Sequence, residues 1–127
     1  RDVYSGRLKL FGGEHEETLL AANNYASSLN RLRRFEEAKA LFRKTIPVAR
    51  RTLGEGRELT LKMRWCYAQS LVRADGATLD DLHEAVTMFE ETARTARRVL
   101  GSAHPTTTGI ETELQVARAA LRARESS

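Results

Sequence analysis

Leu53-Gly54-Glu55-Gly56-Arg57-Glu58-Leu59-Thr60 lies near the middle of a 127-residue chain and has a counterpart on each side. Phe11-Gly12-Gly13-Glu14-His15-Glu16-Glu17-Thr18 comes 42 residues earlier (11 against 53), and Leu100-Gly101-Ser102-Ala103-His104-Pro105-Thr106-Thr107 comes 47 later (53 against 100). Self-similarity at such a period marks a solenoid built from one repeated supersecondary unit. Between the marks, apolar residues recur at helical spacing. The first unit shows Leu19, Ala22, Ala26 and Leu29, then Phe35, Ala38, Phe42, Ile46, Ala49 and Leu53. The second shows Leu61, Trp65, Ala68 and Leu71, then Leu82, Ala85, Phe89, Ala93, Ala96 and Leu100. Strand-type alternation is absent. The spacing predicts an all-α chain with helices near residues 15–32, 35–53, 57–73, 81–100 and 105–123. A shorter lead helix precedes them, with Tyr4, Leu8 and Phe11 facing inward.

The punctuation fits. Gly12, Gly54 and Gly101 each follow an apolar residue that closes a helix, where a glycine takes positive φ at little cost. Pro105 suits a first helical turn, which does not need its missing N–H. Arg50-Arg51 and Arg97-Arg98 fall in last turns, opposite the negative end of the helix dipole. The extra residues of the second unit lie around Ala74 to Asp81, so they lengthen a loop rather than a helix, and Asp80 or Asp81 is expected to cap the next helix. Pro47 falls inside a helix, removes the bond to the carbonyl of Arg43, and predicts a kink.

Composition excludes several classes. Apolar residues are 41% of the chain, and no run approaches the ~20 needed to cross a bilayer. A single cysteine gives neither an intramolecular disulfide scaffold nor a Cys-rich zinc site. No basic start followed by an apolar stretch suggests a secretory signal, so a cytoplasmic location is the default expectation. The net charge of +4 invites a nucleic-acid reading. The signs are interleaved, however, as in Arg33-Arg34-Phe35-Glu36-Glu37, which is how solvated helix faces look.

No catalytic constellation stands out. His15 and His104 occupy equivalent places at helix starts without a second ligand at i+4, so they read as structural rather than metal-binding. His83 reads as an exposed residue at a helix start. Cys66 has no His–Asp partnership nearby in sequence and reads as a free, partly buried thiol. Gly54-Glu55-Gly56 lacks the Lys-Ser/Thr of a phosphate loop. Pairs such as Glu36-Glu37, Asp80-Asp81 and Glu90-Glu91 read as ordinary solvated carboxylates. The expectation is a protein that is not an enzyme and uses no cofactor or metal.

Asn23-Asn24-Tyr25-Ala26, Phe35-Glu36-Glu37-Ala38 and Arg50-Arg51-Thr52-Leu53-Gly54 together resemble a tetratricopeptide repeat of the kinesin light chain type. That family reads roughly L-G-x-x-H-P-x-T, N-N-L-A, Y-x-E-A and R-x-x-L-G in one frame. The resemblance spans about residues 11 to 124. It departs in the second unit, where Trp65-Cys66-Tyr67-Ala68 replaces Asn-Asn-Leu-Ala and Arg57-Glu58 replaces His-Pro. It implies a helix-turn-helix solenoid, a right-handed α-α superhelix. Residues 1–12 are then the tail of a preceding helix, 13–54 the first repeat, 55–101 the second with its loop insertion, and 102–127 a terminal capping helix.

In such an array the first helix of each pair lines a concave groove. The resemblance places Leu20, Asn23, Ser27, Asn30 and Arg31 on that surface, then Lys62, Trp65, Gln69, Val72 and Arg73, and at a blander end Gly109, Thr112, Val116, Ala119 and Ala120. Asn23 matches the first Asn of the family's Asn-Asn-Leu-Ala, which hydrogen-bonds a peptide backbone. Trp65 sits where groove and core stripes meet and fits either. No acidic residue occupies the positions of the two full units, so Arg31, Lys62 and Arg73 are expected to attract an acidic segment, and reversing Lys62 and Arg73 is expected to cost no stability. The leading reading is a non-catalytic interaction module, an adaptor that takes a peptide segment in this groove. A structural spacer, or self-association through exposed repeat ends, stands second. A basic surface for nucleic acid stands third, and no membrane role is expected.

Overall fold

The computed structural model describes residues 2–127; Arg1, the first residue of the expected leading tail, lies outside the described residues. Among these residues the chain forms six helices and no strand: α1 (Asp2–Phe11), α2 (Glu16–Arg31), α3 (Phe35–Thr52), α4 (Glu58–Arg73), α5 (Leu79–Leu100) and α6 (Pro105–Glu125). The element boundaries fall within two residues of those expected.

Local chemistry sets the ends. His15 and His104 are the residues preceding α2 and α6, and each imidazole Nδ1 accepts a backbone N–H two residues on, from Glu17 at 3.0 Å and Thr106 at 3.1 Å. The histidines at equivalent places therefore act as caps. Arg57, which replaces histidine ahead of α4, makes no side-chain cap. Gly12, Gly54 and Gly101 take φ of 81°, 93° and 95°, a region that favours glycine. Thr78, not Asp80 or Asp81, caps α5. Its hydroxyl accepts the N–H of Asp81, and the Asp81 carboxylate accepts the N–H of Thr78. This reciprocal box satisfies two otherwise orphaned donors and starts the helix at Leu79, two residues earlier than the spacing implied. Pro47 does not interrupt α3. Pro47 and Arg43 both lie on the exposed side, where water can serve the carbonyl that loses its donor.

Consecutive helices pack against each other, and two further contacts join α2 to α4 and α4 to α6. Among the described residues the backbones of α1, α3 and α5 do not approach one another closely. The helices thus form two layers, with α2, α4 and α6 side by side. Between the layers lie Leu19 and Leu29 of α2, Phe42 and Ile46 of α3, Leu61 and Leu71 of α4, Phe89 of α5, and Ile110 and Leu114 of α6. Phe42 and Phe89 are 0% exposed. Alanines 26, 38, 68, 85 and 96 sit among them, fully buried, and let the backbones approach closely.

The lead helix differs from expectation. Tyr4 is half-buried and stacks on Tyr25 with ring centroids 6.3 Å apart, whereas Leu8 and Phe11 remain exposed. α1 packs on α2 alone, so only one strip of it is covered.

Candidate functional site

The expected groove residues lie on α2 and α4, whose helices are adjacent, but they do not form one open surface. Toward the C-terminal end of α2 the side chains are committed to each other. Asn30 donates through Nδ2 to the carbonyl of Cys66 (3.2 Å) and accepts through Oδ1 from Ser70 (2.7 Å). Ser27 Oγ lies 3.6 Å from Cys66 Sγ. These contacts tie α2 to α4. Burial pushes the Cys66 thiol above its ordinary range, partly offset by Ser27, so it stays a neutral thiol.

Trp65 faces α6. Its ring lies against the backbone at Gly109, and its indole Nε1 is buried without a partner. The side chain is half-buried and packs on the core from the layer of first helices.

The basic stripe is largely neutralised. Lys62 Nζ lies 3.4 Å from Glu58, one turn earlier on α4. Gln69 donates to Glu113 Oε1 (2.6 Å), and Arg73 reaches the same oxygen at 3.2 Å. Glu113 of α6 lies one residue past the stripe position Thr112, which is why the stripe looked free of acid. Among the described residues Arg31 alone of the three groove cations has no carboxylate; its guanidinium donates to Ser28. Reversing Lys62 and Arg73 would therefore set like charges together, against the expectation that stability would be kept.

An open cleft of about 450 Å³ remains nearer the N-terminal ends of α2 and α4. Glu16, Leu20, Asn23 and Asn24 of α2 line it together with Arg57, Glu58, Leu59 and Lys62. Asn23 is 8% exposed, and its Oδ1 is buried without a hydrogen-bond partner. Leaving a buried acceptor unpaired costs roughly 1–3 kcal/mol. Arg57 is paired with Glu16 across the helices at 2.8 Å. Glu58 accepts from the Thr106 hydroxyl (2.8 Å), which, with Lys62, holds its carboxyl below the usual range. These bonds join the starts of α2, α4 and α6.

Arg64 was not among the residues singled out from sequence. It is 2% exposed and lies on the other side of α4, donating to Glu55 (3.3 Å), Glu91 (3.2 Å) and the Met88 sulfur (3.3 Å). Burial, and then the charge of Arg50, lower its pKa. A signal was available: position 64 is 42 residues after Ala22, a fully buried place in the preceding repeat. Nearby, Tyr67 donates to Glu84 (2.6 Å) and accepts from Arg43 (3.1 Å), binding α3, α4 and α5 together. Among the described residues no cluster of His, Cys, Asp or Glu could hold a metal ion, and no helix is long and apolar enough to cross a membrane.

Paired antiparallel helices, glycine-closed repeats and a layer of first helices with a cleft along it define a helical repeat solenoid. The tetratricopeptide repeat profile matches residues 18–57 and 77–106, more than half of the chain, and the chain belongs to that family. The unmatched stretch between the two segments holds α4, where the sequence departs from the repeat pattern. Neither a curated protein nor a solved structure matches the chain significantly. Tetratricopeptide repeats form a non-catalytic fold that generally mediates protein–protein interaction.

Proposed function

We propose that the chain is an interaction module of the kinesin light chain-like kind, an adaptor that takes an extended peptide segment in the cleft between α2 and α4. One observation carries this reading: the unpartnered, buried Oδ1 of Asn23 at a cleft of about 450 Å³. The Asn23 amide can donate to a peptide carbonyl from the cleft wall, and a small turn of the side chain would bring its buried oxygen to a peptide N–H. Leu20 and Leu59 offer apolar surface beside it. With Lys62 and Arg73 paired and Glu16 and Glu58 beside the cleft, recognition rests on main chain and apolar contact rather than on attraction for acidic residues.

The test is a peptide array probed with the chain and with Asn23→Ala, followed by solution titration of the strongest peptides. Asn23→Ala should lose at least tenfold in affinity while melting at the same temperature or higher, since it removes an unsatisfied buried group. Equal binding of the same peptides by both proteins would overturn the assignment.

A second reading has its own support. Val3 and Leu10 on α1 are 65% and 74% exposed, an apolar edge suited to stacking against another repeat. Concentration-dependent sedimentation that disappears in Val3→Ser with Leu10→Ser would favour this spacer or self-association role.

A further inference from the structure

On the opposite side of α4 from the peptide cleft, a second cleft of about 430 Å³ opens between α3, α4 and α5. Arg50 of α3, Arg64 of α4, and Arg94 and Arg98 of α5 line it, together with Glu55 and Glu91. Glu55 serves both Arg50 (3.1 Å) and Arg64 (3.3 Å), and Glu91 serves Arg64 (3.2 Å). Among the described residues Arg94 and Arg98 have no carboxylate partner. Four guanidiniums against two carboxylates leave two positive charges uncompensated in one cleft.

Ordinary helix chemistry explains only part of this. Arg98 lies in the last turn of α5 and is favoured by the helix dipole, but Arg94 is a turn earlier. Two like charges at i and i+4 cost roughly 0.2–0.5 kcal/mol on a helix. Arg64 is stranger still, because a buried ion pair is often no better than a well-packed apolar side chain. Its Nε and both Nη nitrogens each already hold a partner, and further N–H groups of the five in a guanidinium remain to be used. The two glutamates fix its plane, so a ligand would meet a guanidinium that is already positioned.

We propose that this cleft binds a phosphate dianion, carried on a phosphorylated side chain or free as inorganic phosphate. Such a group carries roughly −1.5 to −2 charge at neutral pH, which matches the two uncompensated arginines, and its oxygens suit the planar fork of a guanidinium. A carboxylate, with a single charge, leaves one of them unmatched. The ligand is either a phosphorylated side chain of a partner or a free phosphate. The site stands on residues apart from the peptide cleft and does not depend on that reading.

The chain is titrated calorimetrically with inorganic phosphate, with a short phosphoserine peptide, and with the same peptide carrying aspartate. The measurements are repeated on Arg94→Gln with Arg98→Gln, both exposed side chains, and on Lys9→Gln with Lys44→Gln, which removes the same charge elsewhere. The phosphoserine peptide should bind at least tenfold more tightly than the aspartate peptide. The arginine variant should lose at least tenfold, and the lysine variant should stay within twofold. Tighter binding of the phosphopeptide than of inorganic phosphate assigns the ligand as a modified side chain; equal or tighter binding of phosphate assigns a free anion. No detectable binding of either the phosphoserine peptide or inorganic phosphate, an aspartate peptide that binds as tightly as the tighter of those two, an arginine variant that binds like the parent, or equal losses in the two variants would overturn the proposal.

Discussion

Gly109 of α6 lies directly beneath the indole of Trp65: a Cβ placed on Gly109 would stand 2.4 Å from the ring. Gly109→Ala improves intrinsic helix propensity by roughly 0.5–1 kcal/mol. Overpacking against the ring should cost more, about 1–3 kcal/mol, so the variant should melt lower than the parent. Trp65 is the only tryptophan, and its emission should shift as the ring is pushed from α6. Unchanged melting and emission would mean that the ring does not rest there in solution.

Phe42→Ala and Phe89→Ala should each destabilise the fold by about 3–5 kcal/mol in urea titrations, because both rings are fully buried at equivalent places in the two repeats. Losses near zero would show that the helix phase is wrong.

Arg64→Met and Arg64→Ala should separate. Methionine fills similar volume with apolar atoms and should leave stability within about 1 kcal/mol of the parent or raise it. Alanine opens a void and should cost about 2–4 kcal/mol. Equal losses would show that the charge, rather than the packing, holds α4 to α5.

The box at the start of α5 gives a pH signature. The backbone N–H of Thr78 is the main cause holding the Asp81 carboxyl below its ordinary value. A depressed folded pKa means that Asp81 contributes stability above the usual carboxylate range and loses it as pH falls through the folded value. Asp81→Asn should therefore melt below the parent at pH 7 and converge with it under strongly acidic conditions. Thr78→Ala should cost about 1 kcal/mol at pH 7. A constant gap for Asp81→Asn down to acid pH would remove Asp81 from the box.

Arg73→Glu places a carboxylate against Glu113 and should lower stability by up to about 1 kcal/mol. Adding Glu113→Gln should restore much of the loss. A double variant no better than the single would show that the two side chains do not meet.

The core was readable because one helical period, written twice, puts Phe42 and Phe89 at matching places, and the repeated glycine marks gave the ends of α1, α3 and α5. His15 and His104 were readable as helix-start residues for the same reason. Cross-repeat partners were not. Glu113 reaches Gln69 and Arg73 across 44 and 40 residues of chain, past a loop insertion that shifts the frame, so no local pattern shows it. Arg64 was missed because the stripe was followed on its groove side, while its contacts lie toward α5. Asn30 was placed on the right helix, but its partners on α4 turn it from a free amide into a cross-link.

Each helix touches only the next one or two along the chain. Among the described residues no contact joins α1 to α6, so the loops that must close during folding are short and folding should be fast. The same layout has a mechanical side. Tension applied at the two termini runs along the stack and meets no clamp joining its ends, so helices should detach in succession from the edges inward. Under load the protein should behave as a soft, recoverable spring.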